Sequence, residues 1–104
     1  MARIVNKPLL DEFRAQTRCE WCGRTVAQCE PHHIFCRGMG GGARLDIREN
    51  LVALCGPFAG NCHGLAPRHR QYMLRLAAMR EGTTPEAIVA KIWRLRRTPK
   101  EAMP

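Results

Sequence analysis

The stretch Cys29-Glu30-Pro31-His32-His33-Ile34-Phe35 decides how the rest of the chain is read. Two adjacent histidines open a short apolar run behind a proline, which cannot donate a ladder hydrogen bond. In an extended strand, neighbouring side chains point to opposite faces. A bulge at Pro31 would relax that alternation and bring both imidazoles to one site. One can then hold a metal while the other takes a proton near neutral pH. Alone, the pair also fits two half-exposed strand histidines with no role. Asn50 and Cys62-His63 further on shift the weight toward a site.

Outward from this stretch the chain predicts a small α+β fold. Residues 1–7 read as a basic tail. Pro8 to Arg14 reads as a short helix, with Pro8 near its start and Leu9, Leu10 and Phe13 on its apolar side. Thr17 to Gly23 carries a Cys19-x-x-Cys22 turn, with Gly23 supplying backbone freedom. Thr25 to Glu30 reads as a strand interrupted at Pro31 and resuming as extended chain over His33 to Cys36. Gly38 to Glu49 reads as a glycine-rich surface loop. Leu51 to Cys55 is an apolar strand, and residues 56–61 are a turn. Pro67 to Arg80 shows helical periodicity, with Tyr72, Met73, Leu76, Ala77 and Met79 on the apolar face. Gly82 ends it. Thr84-Pro85-Glu86 opens a last helix, with Ile88, Val89, Ile92, Trp93 and Leu95 apolar, closed by Pro99.

The chain has 104 residues and a formal net charge of +8. That length suits one domain with a modest core, which a metal staple would strengthen. The charge favours polyanionic partners, nucleic acid before an anionic membrane. No apolar run is long enough to cross a bilayer. The N-terminus lacks the apolar core of a signal peptide, so the expectation is an intracellular protein with reduced thiols.

This context bears on the six cysteines. Three disulfides are arithmetically open, but the Cys19-x-x-Cys22 spacing and the missing export signal favour zinc. Cys19, Cys22, Cys55 and Cys62 can supply four thiolates, which saturate a tetrahedral ion and leave no open position. Such a site serves folding, not catalysis. Cys29 and Cys36 fit better as small buried hydrophobes.

Taken together, Cys19-x-x-Cys22, Pro31-His32-His33-Ile34, Arg37-Gly38-Met39-Gly40-Gly41, Asn50-Leu51-Val52-Ala53-Leu54-Cys55 and Cys62-His63-Gly64 resemble a zinc-containing HNH endonuclease of the small phage and prophage type. The resemblance covers roughly residues 19–70. It implies a ββα-metal fold in which two strands and a helix grip one catalytic ion. It implies that His32 and His63 are metal ligands, that His33 is the general base, and that Asn50 holds the loop that orients the base. Many members carry another histidine four residues after the position of His63. This chain has Pro67 there, and His69 two residues on is the candidate third ligand.

The implied reaction is phosphodiester hydrolysis leaving 5′-phosphate and 3′-hydroxyl ends. The catalytic ion would be Mg²⁺, Mn²⁺, Ni²⁺ or Zn²⁺, beside a structural Zn²⁺. Arg37, Arg44, Arg48 and Arg68 are the candidate phosphate contacts. The expected organisation is a tail and short helix over 1–18, a zinc-stabilised nuclease core over 19–81, and a C-terminal helix and tail over 82–104. The expected partner is DNA, with phage packaging or recombination proteins as further candidates and no membrane. The expected setting is the cytoplasm of a bacterial host. The competing reading is a zinc-stabilised DNA-binding or packaging accessory module with weak or no catalysis.

Overall fold

The computed structural model describes residues 3–35, 44–56 and 61–97. Among them the order is α1 (Lys7–Arg14), β1 (Glu30–His33), a 3-10 turn (Arg48–Asn50), β2 (Leu51–Leu54), α2 (Cys62–Leu65), a second 3-10 turn (Ala66–Arg68), α3 (Arg70–Glu81) and α4 (Pro85–Arg97). This is a small α+β fold with one two-stranded antiparallel sheet and four helices.

β2 is the centre of the fold because all four of its side chains are buried. Its alternation sends them to two separate cores. Leu51 and Ala53 pack with Leu10, Phe13 and Cys29 beneath α1. Val52 and Leu54 pack with Ile34, Phe35, Met73, Leu74, Ile88 and Ile92 beneath α3 and α4. Cys29 is fully buried in the α1 core, and burial pushes its thiol up to about 11, as a packing cysteine requires.

β1 differs from its expectation. The strand is not Thr25–Glu30; Thr25 makes only an isolated bridge with Arg18. Nor does Pro31 interrupt it. β1 pairs one-to-one with β2, Glu30 to Leu54, Pro31 to Ala53, His32 to Val52 and His33 to Leu51, without a bulge. The reason is the direction of the proline nitrogen. Ile34 N donates to Asn50 O at 2.9 Å across the pair. Odd-numbered offsets from Ile34 point the other way, so the nitrogen of Pro31 lies at the open edge, where no donor is needed.

The helix ends follow local chemistry. Asn6 caps α1, its side-chain oxygen accepting from Leu9 N at 3.1 Å. Thr84 accepts from Ala87 N at 3.1 Å at the start of α4. Gly82 ends α3 at φ 69°, in the left-handed region. α3 begins later than its apolar pattern suggests, because Pro67 sits in the 3-10 turn and the chain breaks at His69. Its buried face is Met73, Leu74, Ala77 and Ala78, whereas Tyr72 and Met79 are exposed. In α4, Ile88 and Ile92 are buried and Trp93 is exposed. Pro99 lies outside the described residues.

Candidate metal centre and histidine cleft

Two sites flank the end of β2. At the first, Cys19, Cys22, Cys55 and Cys62 bring their sulfur atoms within 4.8 Å of one another. The sulfurs of Cys22 and Cys55 stand 3.8 Å apart. A tetrahedron with metal–sulfur bonds of about 2.3 Å has edges of about 3.8 Å, so the four residues fit a thiolate-bound ion such as zinc. The turn Cys19-Glu20-Trp21-Cys22 is shaped for it. Gly23 takes φ 77°, and Cys22 N and Arg24 N each point at a sulfur, of Cys19 and Cys22, at 3.5 Å. Burial works against a charged Cys19, but hydrogen bonds from the chain at Cys22, Cys55 and Trp21 outweigh it and bring the thiol down to about 7. Burial and the neighbouring sulfurs push Cys62 upward. Cys19 is thus readier than Cys62 to bind as thiolate.

The site joins three parts of the chain. It ties the 19–22 turn to the end of β2 and the first residue of α2. Gly56, just after Cys55, takes φ 56°, and an added Cβ there would lie 2.1 Å from Asn61 Nδ2.

The second site lies where β1 meets α2. His32 and His63 face each other edge-to-plane, with ring centroids 5.6 Å apart. Burial, with His63 and His33 nearby, lowers His32 to about 4, so its ring is neutral at physiological pH. His33 and His63 border an open cleft of about 520 Å³ with Leu10, Arg14, Glu30, Pro31 and Arg44. Because β1 is regular, His32 and His33 leave opposite faces, and each has its own partner. His32 meets His63. His33 Nε2 lies 2.7 Å from Oδ1 of Asp46, whose side chain is fully buried.

Asn50, fully buried, accepts from Phe35 N at 2.8 Å and donates to Phe35 O and Leu45 O, both at 3.0 Å. It therefore clamps the chain on both sides of residues 36–43. Its turn-making position just before β2 made it visible in the sequence. Asp46 was not visible, since acids in a loop usually face water. The signal it did carry was its place between Leu45 and Ile47 in an otherwise apolar, arginine-flanked segment.

The remaining candidates are distributed differently. His69 packs edge-on against Trp21, with ring centroids 5.2 Å apart, rather than joining a convergent ligand group. Among the described residues, the four cysteines are the one group of three or more Cys, His, Asp or Glu side chains that converges. Arg44 is bound to Asp46, through Nε and Nη2 at 2.9 and 2.8 Å. Arg48 is bound to Glu81 and Glu12 and lies over the Phe13 ring. Both arginines are therefore engaged within the protein. Arg68 is exposed in the second 3-10 turn. Arg37 and Cys36 lie outside the described residues.

The fold and its two sites define a small α+β protein with a candidate thiolate metal centre beside a histidine-lined cleft. No family model, curated protein or solved structure matches the chain. Among the described residues, no helix is long and apolar enough to cross a membrane.

Proposed function

We propose that this chain is a metal-dependent DNA endonuclease of the HNH type, with a ββα-metal core stapled by a structural zinc. The observation that carries the proposal is the meeting of His32 on β1 with His63 on α2, beside a separately anchored His33. The order β1, β2, α2 supports the same reading, as does Asn50 clamping the chain between the strands. The +8 charge suits a polyanionic substrate.

Two imidazoles from different elements that meet edge to plane, His32 neutral and His63 bordering an open cleft, fit a divalent ion with positions left for water and phosphate. When bound, that ion supplies charge stabilisation for the phosphate and the leaving 3′-oxygen. The chain's own residues do the rest. His32 and His63 offer their lone pairs. His33 takes the proton of the attacking water. Asn50 keeps the chain beyond β1 in place, so that His33 stays aligned.

The second reading, a DNA-binding or phage packaging accessory module, draws on one observation: His69 leans on Trp21, leaving His32 and His63 as the two candidate ligands. Incubating supercoiled plasmid with the zinc-loaded protein, across a panel of Mg²⁺, Mn²⁺, Ni²⁺ and Zn²⁺, separates the two. Nicking that appears with added ion and stops with chelator supports the endonuclease. DNA binding without nicking in any ion supports the module.

A further inference from the structure

Asp46 is the least expected residue near the cleft. Its carboxylate is buried and takes four donors: Asn6 N at 2.8 Å, His33 Nε2 at 2.7 Å, and Arg44 Nε and Nη2 at 2.9 and 2.8 Å. A carboxyl group facing both arms of a guanidinium is ionised, and an ionised carboxylate only accepts. The shared proton on the His33 side therefore belongs to Nε2. In the neutral ring this leaves the lone pair on Nδ1.

We propose that Asp46 is the positioning residue for His33: it fixes the Nε2–H tautomer and the ring orientation, so that Nδ1 is the atom that accepts a proton. Arg44 belongs to the same device. It holds both carboxylate oxygens, so the carboxylate cannot turn away from His33. The N-terminal segment completes it. Ile4 bridges Leu45 in parallel, with Ile4 N donating to Arg44 O and Asp46 N to Ile4 O, both at 2.9 Å. Asn6 N then closes on Asp46 Oδ2. Asn50 reaches the same segment from the other side through Leu45 O. The orientation of His33 is thus set by residues 4–6 and 44–50, elements that contribute no ligand to the cleft. Arg44, a candidate phosphate contact from the sequence, has this internal role as well.

The tautomer claim stands on geometry alone; the catalytic consequence rests on the endonuclease reading. The test uses the full zinc-loaded chain and has two arms. Nitrogen-15 NMR of the ring of His33, at a pH where the ring is neutral, should show a protonated Nε2 and a bare Nδ1. A protonated Nδ1, or an even mixture, overturns the proposal without any variant. In the second arm, Asp46→Asn should lower kcat by about 10²- to 10⁴-fold, the worth of a positioned general base, with little change in KM. In a His33→Ala background the same substitution should add less than about threefold, because the two act as a unit. A similar loss in both backgrounds would make Asp46 merely structural and overturn the catalytic part. Should the wild type cleave no DNA, the endonuclease reading fails by itself, and the NMR arm still decides the pairing of Asp46 with His33.

Discussion

His32 carries the clearest acid–base signature at the residue scale. Its folded-state value near 4 lies below the ordinary 6.5 because burial, His63 and His33 all disfavour the imidazolium. The unfolded chain therefore binds a proton that the folded chain refuses between those values. Stability contributed by this residue is complete above about pH 6.5 and is lost as pH falls toward 4. Urea melts of zinc-free and zinc-loaded protein across that window check it. His32→Gln should flatten the acid limb; an unchanged limb would mean that His32 is not the group responsible. His63→Ala should weaken binding of the catalytic ion, so that excess Mn²⁺ or Ni²⁺ restores part of the rate. His69→Ala should leave the rate alone, since its ring belongs to the Trp21 contact. Metal rescue of a His69→Ala defect would enrol it as a ligand instead. The histidine pair, Asn50 and the four cysteines could be read in the sequence because their spacing is itself the signal. The partners of Asp46 could not, since they depend on residues 4–6 folding back over residues 44–46, a pairing that no local pattern encodes.

Among the elements, β2 was the most legible, because five consecutive apolar residues leave few alternatives. β1 was misread because proline usually ends a strand, and only the pairing direction shows that its nitrogen faces the free edge. The buried face of α3 is turned one residue along from the face its periodicity suggests. Tyr72 and Met79 turn outward, and Leu74 and Ala78 inward. Two substitutions check that rotation. Leu74→Ala should cost about 2–5 kcal/mol, as for other buried leucines. Met79→Ala, at a side chain 80% exposed, should stay within about 0.5 kcal/mol. Chemical denaturation measures both, and reversed costs would restore the face first read from the periodicity.

At the scale of the molecule, among the described residues, two of the connections between the sheet and its surroundings bear on the metal centre. One is the cysteine cluster. The other is Arg80 of α3, which pairs with Glu20 at 2.7 Å and donates to the carbonyls of Arg48 and Leu51 at 2.7 and 3.0 Å. Glu20 sits inside the Cys19-x-x-Cys22 turn and also accepts from Ala53 N at 2.6 Å. The second connection therefore braces the turn that the metal would close. Purified protein should hold one tightly bound zinc per chain. Cys22→Ser should lower the melting temperature sharply, because metal binding is coupled to folding. An identical melting temperature with and without metal would remove zinc from the account. DNA affinity should fall steeply with added salt as counterions are released, a dependence that titration at several ionic strengths reads directly. The central claim is that this scaffold positions a base beside a metal to cut DNA. Its most direct test measures DNA binding, divalent-ion binding and plasmid nicking on wild type and His33→Ala side by side. The account predicts unchanged binding of both DNA and ion, with nicking reduced by about 10²- to 10⁴-fold. Nicking that persists at the wild-type rate in His33→Ala would contradict it.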